Sequence, residues 1–383
     1  MNDHGWTLLE TALGPLGVAW SPRGLTRVQL PEATPEATAK RLAGAGPRVP
    51  PEDAPEPIRR ALESLRAHLA DGGDDLSGVP VDDSRWTPFQ RRVFSRARSV
   101  GAGSTVSYQG LAEGVGAPGA SRAVGQAMAT NPLPLVVPCH RVLGARRALH
   151  GFSAHGGADA KARLLGREAR FLAARQGLST GYDPAEALGW LREADPSLAR
   201  WMDRVGPLKL TVDRTVTPYE SLLRAVVYQQ LTGKAAATIL GRVKDLFGGG
   251  TPAPGALASE DPKRLRAAGL SQAKTAALQD LGRRAHEGSL PDAEHLAHLE
   301  DDEVVERLTA VRGVGRWTVE MYLLFGLGRP DVLPVKDYGV KKGFGRAFLR
   351  GRLPTDEELV ARASRWRPYR SVASWYLWRI NDV

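Results

Sequence analysis

Short apolar runs alternate with turn residues over the first thirty positions of the chain, as in segments 17–20 and 25–30. Runs of this length between turns are typical of strands, so we predict a small sheet at the N-terminus. A proline-rich connection at 47–57 follows it. Apolar residues then recur at helical spacing at four positions, Ile58, Leu62, Leu65 and Leu69. This spacing predicts one amphipathic helix beside the sheet.

The pattern changes to helices separated by short turns after a polar stretch, rich in Gly and Asp, at 72–84. These helices begin near Trp86, and a break lies at 175–182 between two helical segments. Beyond the break, Gly and Pro mark the loops between helices, and no strand-rich section follows residue 210. We therefore predict four segments: an N-terminal α/β subdomain over 1–85, a second subdomain over 86–174, a linker over 175–182 and an all-helical domain over 183–383.

The composition is that of a globular protein with more than one core. The chain has 383 residues, of which 42% are hydrophobic, enough to bury the cores of two or three domains. No stretch approaches the roughly 18 apolar residues that span a bilayer. The N-terminus MNDHGWTLLE lacks the charged and apolar regions of a signal peptide. We therefore expect a cytoplasmic protein without a membrane partner.

The chain is basic, since 52 Lys and Arg residues against 42 Asp and Glu residues give a formal net charge of +10. A charge of this sign favours polyanionic partners, nucleic acid first, through contacts with phosphates. Charge alone leaves a second interpretation open, in which the protein is basic and soluble without a nucleic-acid partner.

The chain has one cysteine, Cys139, which excludes a disulfide within the chain, a multi-cysteine zinc site and a four-cysteine iron–sulfur cluster. A lone cysteine is most often a small buried hydrophobic residue. His140 follows it directly, however, and a histidine can take the proton of a thiol when a carboxylate orients its other ring nitrogen. Cys139 is therefore a candidate nucleophile.

A candidate helix-turn-helix precedes the cysteine. Ser107–Leu111 has a helical pattern, Gly114–Gly119 has the composition of a tight turn, and Ser121–Met128 is a second helix rich in small residues. Small side chains let the backbone approach DNA closely. Two short helices with a turn are also common as simple packing, so this motif by itself does not establish DNA binding.

The Pro-Cys-His-Arg-Val box at 138–142, with its spacing from Arg-Ala-Val-Gly at 122–125 and from Asn131, resembles that of the O6-alkylguanine-DNA alkyltransferases. The resemblance covers roughly residues 1–170, most weakly at the N-terminal end. It implies an α+β N-terminal subdomain followed by a helix-turn-helix, winged-helix-like catalytic subdomain. It also implies an SN2 transfer of the alkyl group from O6 of guanine to Cys139, which each molecule performs once because the thioether is not a leaving group.

The same resemblance implies roles for individual residues. His140 would act as the base through a water, Glu168 would orient it, and Asn131 would hold the turn before the active-site strand. Tyr108 would push the phosphate of the target nucleotide, and Arg122 would fill the gap that the flipped guanine leaves. The substrate pocket would be lined by three further residues, Phe152, Ser153 and Lys161.

Two features depart from the pattern of this family. Phe152 stands where many members have Tyr, so a hydroxyl contact to the base is missing. The loop from Ser153 to Lys161 is longer than is common. Both departures leave the range of accepted alkyl groups open.

A second candidate site lies in the C-terminal half, where a Gly-Val-Gly turn at Gly313–Gly315 separates two helical segments. Such a turn exposes backbone N–H groups at a helix N-terminus, which can bind a phosphate, often with a monovalent cation. Asp337 follows the turn by 22 residues. With this aspartate, residues 183–383 resemble the helix-hairpin-helix DNA glycosylases, most of all 3-methyladenine DNA glycosylase II.

The glycosylase resemblance implies that Asp337 is the catalytic carboxylate. Cleavage of an N-glycosidic bond builds positive charge on the sugar, and a nearby carboxylate stabilises it. Trp317 stands where relatives that also cleave the backbone carry Lys for Schiff-base chemistry, which implies monofunctional excision. Trp317 and Trp378 would stack on the cationic alkylated purine. Contacts to DNA would come from Gly313, Gly315, Lys336 and Lys341, while the following basic residues, Lys342, Arg346 and Arg350, face either phosphates or solvent.

We therefore predict a bifunctional enzyme that repairs alkylated bases in double-stranded DNA and is a monomer. No metal or organic cofactor is expected, apart from a monovalent cation at the Gly313–Gly315 turn. Two alternatives stay open: a non-enzymatic sensor or regulator of DNA damage built from the same parts, and a glycosylase that also cleaves the DNA backbone as a lyase. The intact surroundings of Cys139 and Asp337 oppose the first alternative, and Trp317 opposes the second.

Overall fold

The computed structural model describes residues 3–72, 74–152 and 154–383, and the chain divides into two compact units. Unit 1 consists of Met1–Leu178, Ala185–Ala199 and Arg362–Tyr369. Unit 2 consists of Ser179–Pro184, Arg200–Ala361 and Arg370–Val383. The predicted linker overlaps the first change of unit, whereas two segments expected in the all-helical domain are grouped with unit 1. The domain boundaries drawn from the sequence stay a prediction.

Unit 1 begins with the predicted sheet. β1 (Gly5–Leu9), β2 (Leu16–Ser21) and β3 (Gly24–Gln29) are antiparallel and neighbour one another in chain order. α2 (Glu56–Asp71) shares a core with this sheet and ends at Gly72, whose positive φ of 68° costs a glycine nothing. It buries the four apolar residues that the spacing predicts, Ile58, Leu62, Leu65 and Leu69. The predicted sheet and amphipathic helix are therefore confirmed.

The second part of unit 1 contains a helix pair, α4 (Tyr108–Gly114) and α5 (Ser121–Ala129). Ser107 caps α4, since its hydroxyl accepts a hydrogen bond from the N–H of Gly110. These helices have the order helix, turn, helix that the sequence predicts. The other helices before residue 176 are α1 (Pro35–Lys40), α3 (Pro88–Arg98) and α6 (Gly157–Arg175).

The segment that leads to Cys139 is not the strand expected there. Residues 131–138 form turns, and Cys139 begins a single turn of 3-10 helix. Only then does β5 (Val142–Leu143) pair in parallel with β4 (Val106–Ser107). The segment contains three prolines, which have no N–H to donate to a strand ladder, and Leu135 has a positive φ of 75°. The prediction of an active-site strand before the cysteine is therefore wrong.

Unit 2 is helical, and the strands that the structure describes all lie in unit 1. The helices after α6 are divided between the units, because Ala185–Ala199 and Arg362–Tyr369 are grouped with unit 1. From α7 onwards the helices are, in chain order, α7 (Pro184–Ala194), α8 (Pro196–Val205), α9 (Pro218–Tyr228), α10 (Gly233–Asp245), α11 (Pro254–Ser259), α12 (Pro262–Ala267), α13 (Gln272–His286), α14 (Ala293–His298), α15 (Asp301–Thr309), α16 (Arg316–Phe325), α17 (Tyr338–Phe348), α18 (Asp356–Ala363) and α19 (Arg370–Ile380). Helices α9, α13, α15 and α16 share one apolar core.

α17 and α19 pack closely because a glycine lies at their contact. A Cβ atom on Gly343 would lie 1.8 Å from the carbonyl oxygen of Leu377, a distance that no side chain can adopt. This approach brings Asp337, the N-cap of α17, next to Trp378 on α19. Two helices that are far apart in the sequence thereby form one side of the second candidate site.

Gly343→Ala is expected to destabilise unit 2 by about 2 kcal/mol or more, because overpacking pushes the two helices apart. Gly241→Ala is the matched control, since Gly241 lies inside α10 with open space around its Cβ position. Alanine there should favour the helix by up to about 1 kcal/mol. Urea denaturation followed by circular dichroism measures both changes. Equal stability of the two variants would contradict the close contact.

Candidate active sites

Cys139 lies in the core of unit 1, with 6% of its surface exposed. Burial raises the pKa of its thiol, while a hydrogen bond with Asn131 and the charge of Lys161 act in the opposite direction. Because the thiolate is the reactive nucleophile, a neighbouring base has to remove the proton for this cysteine to react.

Asn131 holds the turns before the cysteine at both ends. Its Nδ2 atom donates to the carbonyl of Val137 (2.8 Å), and its Oδ1 atom accepts from the N–H of Leu133 (3.0 Å). The bonds enclose Leu135, the residue with positive φ. Asn131 thus fixes the path of the backbone into Cys139.

His140 and Glu168 form a buried pair. The Nε2 atom of His140 lies 2.7 Å from Oε1 of Glu168. Arg141 shares this oxygen through Nε (2.9 Å) and Nη2 (2.7 Å), and the N–H of Gly103 donates to Oε2 (3.1 Å). Burial opposes ionisation of Glu168, yet these partners lower the pKa of its carboxyl to about 2. Burial lowers the pKa of His140, so the ring is neutral and can accept a proton.

Lys161 is fully buried beside the cysteine. Its Nζ atom donates to the carbonyls of Val142 (2.6 Å) and His150 (3.3 Å) and lies 5.8 Å from the centre of the Tyr108 ring. Burial lowers the pKa of Lys161 to about 8, and a negative charge on Cys139 raises it again. The ammonium group therefore favours the thiolate, and the thiolate in turn favours the ammonium.

The other predicted residues of unit 1 lie around the helix pair. Tyr108 begins α4, is half-buried, and its hydroxyl lies 3.5 Å from the carbonyl of His150. Arg122 is exposed near the start of α5. Phe152 is half-buried against the core that contains Cys139. Ser153 lies outside the described residues.

Asp337 caps the N-terminus of α17 and accepts three hydrogen bonds. Its Oδ1 atom accepts from the N–H of Val340 (2.8 Å) and from Nε1 of Trp378 (2.7 Å), and its Oδ2 atom accepts from Nε1 of Trp317 (2.8 Å). Trp378 fits beside the helix because Gly339 has no Cβ, which would lie 2.7 Å from the indole. Sequence reasoning proposes both tryptophans as stacking surfaces and misses that their N–H groups point at the carboxylate.

A cavity of about 440 Å³ in unit 2 is lined by Asp337, by large side chains from two helices, and by Lys209, Leu210, Thr211 and Arg379. The side chains from α16 recur every four residues on one face of the helix, and they are Trp317, Met321 and Phe325. α19 contributes Trp375 and Trp378. Phe325 and Trp375 are missed by sequence reasoning, although the helical spacing from Trp317 and from Trp378 is a signal that could have found them.

The turn between α15 and α16 is suited to bind an anion. Gly313 has a φ of +76°, which favours glycine, and its carbonyl accepts from Nε2 of Gln229 (2.9 Å). The N–H of Arg312 donates to Asp280 (2.9 Å). No hydrogen bond among the described residues uses the N–H groups of Gly313 and Gly315. Both groups are therefore available to a phosphate at the N-terminus of α16.

Lys336 and Lys341 both bind the carboxylate of Asp356. The ammonium group of Lys336 pairs with Oδ2, and that of Lys341 lies 2.6 Å from Oδ1. Of the basic run that follows them, Arg346 donates to the C-terminal carbonyls of Asn381 and Val383. A DNA phosphate that approaches these lysines would compete with Asp356, and Arg346 has a structural use within the chain.

The loop after α9 presents a feature that sequence reasoning misses. Gln230 has a φ of +55°, and the next residue, Leu231, is an exposed large aliphatic side chain. Lys274 donates to the carbonyls of Val227 (2.8 Å) and Gln229 (2.6 Å) and thereby fixes the end of α9. An apolar residue between polar neighbours in a loop is the signal that could have found Leu231.

Two observations concern metals and membranes. In the described ranges, no group of three or more His, Cys, Asp or Glu side chains is placed to hold a metal ion. None of the described helices combines the length and the apolar character needed to cross a bilayer.

Each half of the chain matches a protein family. The profile of the 6-O-methylguanine DNA methyltransferase DNA-binding domain matches residues 88–170, and that of the HhH-GPD superfamily base excision DNA repair proteins matches residues 223–368. A methylated-DNA–protein-cysteine methyltransferase of Mus musculus is 33% identical over 201 residues, which cover 49% of this chain and 90% of that protein. DNA-3-methyladenine glycosylase 1 of Schizosaccharomyces pombe is 37% identical over 167 residues, which cover 43% of this chain and 73% of that protein.

Among solved structures, the Schizosaccharomyces pombe 3-methyladenine DNA glycosylase in complex with abasic DNA is 34% identical, with a TM-score of 0.47, and the match covers 52% of this chain and 97% of that one. The sequence identities, over most of the length of both relatives, establish kinship for each half separately. The chain therefore belongs to two families at once, the methylated-DNA–protein-cysteine methyltransferases and the HhH-GPD superfamily of base excision DNA repair proteins.

Proposed function

We propose that this chain repairs alkylated double-stranded DNA with two separate active sites. Unit 1 transfers alkyl groups from O6 of guanine to Cys139, and unit 2 excises N-alkylated purines such as 3-methyladenine with the aid of Asp337. The observation that supports the proposal most is that each candidate reactive group has a neighbourhood suited to its reaction. A buried histidine held by Glu168 directly follows Cys139, and neutral donors hold Asp337.

In unit 1, the thiol proton of Cys139 passes through a water to Nδ1 of His140, and the thiolate attacks the alkyl carbon. The S–C bond forms as the C–O bond breaks, and guanine leaves with the electron pair and takes up a proton. Nδ1 is suited to this role because it is buried without a hydrogen-bond partner in the described part of the chain, while Glu168 holds Nε2. The charge of Lys161 favours the thiolate. The thioether does not leave, so each Cys139 reacts once.

The helix pair α4 and α5, within a winged-helix-like subdomain, is the DNA-binding element of unit 1. A guanine inside a duplex cannot reach a buried thiol, so it has to be flipped out, and the vacated space needs a filler. Arg122 is exposed and has no partner among the described hydrogen bonds, so it is free to fill the gap. Tyr108, at the start of α4, pushes the phosphate of the flipped nucleotide, and Phe152 gives the pocket an apolar wall.

In unit 2, the damaged base enters the cavity and Asp337 faces its sugar. The carboxylate stabilises the positive charge that develops as the glycosidic bond breaks, and a water completes the hydrolysis. An N-alkylated purine carries positive charge and gains from stacking on the exposed ring of Trp317, whereas a normal purine gains less. The indole of Trp317 cannot form an imine, so the enzyme leaves an abasic site in an uncut strand.

The DNA contacts of unit 2 combine phosphate binding with a filler. The free N–H groups of Gly313 and Gly315 bind a backbone phosphate, where a monovalent cation can assist, and Lys336 and Lys341 add positive charge. Leu231, exposed on its fixed loop, takes the place of the flipped base in the stack, because an apolar side chain can replace base stacking.

A non-enzymatic damage sensor is the alternative from a different class. A sensor needs neither a neutral histidine beside an ionised carboxylate nor a second carboxylate held by three donors in a cavity. Both arrangements withdraw polar groups at least partly from solvent, which costs free energy, and a reaction at these groups would give the arrangements a use that a sensor lacks. They therefore favour the enzyme.

Cys139→Ser is expected to abolish methyl transfer from O6-methylguanine in duplex DNA and to leave base excision intact, because the two sites use different groups. Mass spectrometry of the reacted wild type should show one added methyl on the peptide that contains Cys139. Asp337→Asn serves as the reciprocal control and should transfer the methyl normally. A methyl on another peptide, or transfer by the serine variant, would overturn the assignment of the nucleophile.

Glu168→Gln is expected to lower the free energy of unfolding of unit 1 by about 3 kcal/mol or more at pH 7, because it leaves the buried Arg141 without its counter-charge. Folding lowers the pKa of Glu168 from 4.5 to about 2, so its contribution is complete above pH 4.5 and is lost as the pH falls from 4.5 towards 2. The wild type should therefore lose more stability in acid than this variant does.

Urea denaturation at pH 7 and pH 3 measures both effects of Glu168→Gln. Glu63→Gln makes the same chemical change at an exposed position of α2 and should leave the unfolding midpoint close to that of the wild type. Equal stability of the two variants would contradict the expectation that the ionised carboxylate of Glu168 stabilises unit 1 as the counter-charge of Arg141.

Asp337→Asn keeps the volume of the side chain but removes its charge, so excision of 3-methyladenine or 7-methylguanine should fall by about 100-fold or more. DNA binding should persist, since the phosphate contacts come from other groups. Release of the free base under single-turnover conditions measures the rate, and strand cleavage before and after alkali identifies the product. Full activity of the variant, or a borohydride-trapped complex of the wild type, would contradict the proposed mechanism.

A further inference from the structure

Two indole N–H groups point at one carboxylate in the cavity of unit 2. Nε1 of Trp378 lies 2.7 Å from Oδ1 of Asp337, and Nε1 of Trp317 lies 2.8 Å from Oδ2. We propose that Trp378 is a positioning residue, which acts on the reaction by holding the Asp337 carboxylate and not by stacking on the base, whereas Trp317 does both. This inference rests on the proposed catalytic role of Asp337.

The hydrogen bonds leave the two oxygens of Asp337 with different numbers of free lone-pair sites. A carboxylate oxygen has about two lone-pair sites. Oδ1 uses both, since it accepts from the N–H of Val340 as well as from Trp378. Oδ2 accepts from Trp317 and has one site left. Trp378 and the helix N-terminus together therefore fix the plane of the carboxylate and leave Oδ2 as the oxygen that faces the sugar.

The surroundings of the two rings differ in a way that separates their roles. Trp378 is half-buried: the ring of Phe325 lies against it, with 5.9 Å between ring centres and 28° between planes, and the backbone of Gly339 leaves no room for a Cβ beside it. Trp317 is 44% exposed. An incoming purine can stack on the more exposed ring of Trp317, whereas one side of the Trp378 ring is already taken up by Phe325. Under this inference only Trp317 keeps the stacking role that the sequence resemblance implies for both rings.

Indole donors suit this position for an electrostatic reason. A lysine or arginine would hold the carboxylate more strongly, but its positive charge would offset the negative charge that the developing cation of the sugar requires. A neutral N–H donor orients the carboxylate and keeps its charge. Phenylalanine would lose the donor and part of the ring, whereas an isosteric replacement without the N–H would lose the donor alone, so substitution can separate the two properties of each tryptophan.

The decisive experiment compares two replacements at position 378 in the full chain. Trp378→Phe removes the donor and shrinks the ring. Site-specific benzothienylalanine, which has sulfur in place of the indole N–H, removes the donor and keeps the shape. We expect both to lower the single-turnover rate of 3-methyladenine release at saturating protein by roughly tenfold or more, the scale of a lost hydrogen bond to a charged group, with little change in the affinity for lesion-containing duplex.

Trp317 and Trp375 provide matched comparisons in the same cavity. Trp317→Phe should lower both the rate and the affinity, because this ring also contacts the base. Trp375 makes none of the described hydrogen bonds to Asp337, so benzothienylalanine at position 375 gives the reference effect of the sulfur substitution on a cavity tryptophan. The loss at position 378 should exceed that reference at least severalfold.

The outcomes separate this inference from the proposed function. A wild-type rate with benzothienylalanine at position 378, or a loss equal to that at position 375, would show that the N–H of Trp378 does not act, even if Asp337→Asn is inactive. Full excision by Asp337→Asn would instead overturn the proposed function itself. Thermal unfolding of each protein identifies any loss that comes from a misfolded unit 2.

Discussion

The buried charge of Glu168 is the constraint around which the alkyl-transfer site is arranged. A carboxylate inside a core is costly unless protein donors replace the water that it has lost. Gly103, His140 and Arg141 supply four donor atoms, and all of them approach from segments that are distant from α6 in the sequence. Because Arg141 is always charged, Glu168 stays ionised whatever the protonation of His140. The histidine is thus held in one orientation, as the proposed proton transfer from Cys139 requires.

The carboxylate of Asp337 is also held by hydrogen-bond donors of the protein, but these donors are of a different kind. Its donors are a backbone N–H and two indoles, none of which carries charge. The difference follows from what each carboxylate has to do. Glu168 is proposed to orient another residue, so a permanent cation beside it does no harm. Asp337 is proposed to face a developing positive charge directly, and a cationic partner would weaken that interaction. The proposed role of each carboxylate therefore accounts for whether its hydrogen-bond donors are charged or neutral.

The two proposed reactions also differ in what remains afterwards. Alkyl transfer consumes Cys139, whereas hydrolysis at Asp337 leaves the carboxylate unchanged. A chain whose thiol has reacted therefore still carries a complete excision site. Both proposed reactions require base flipping, since a base in a duplex has to leave the stack before either group can reach it. We propose that an exposed side chain in each unit, Arg122 in unit 1 and Leu231 in unit 2, takes its place.

The sequence by itself determined the features that depend on near neighbours in the chain. Helix α2 could be predicted because the spacing of its apolar residues decides it. The Gly313–Gly315 turn could be predicted because glycine favours such a conformation. The pairing of Cys139 with His140 could be read directly, since the two residues are adjacent. The resemblance implied a strand before Cys139, and this expectation was wrong because the prolines of that segment remove donors that a strand needs. Asp337 and its tryptophans could be assigned to one site through family resemblance.

Only the tertiary structure decided how these residues meet. Glu168 accepts a hydrogen bond from Gly103, Asp356 binds Lys336, and the indole of Trp378 turns its N–H towards Asp337. Each of these contacts joins residues at least 20 positions apart. The direction of a side chain depends on the packing of both elements around it, here down to the absence of a Cβ at Gly339. No pattern along the chain encodes that direction, because it arises only when distant helices come into contact.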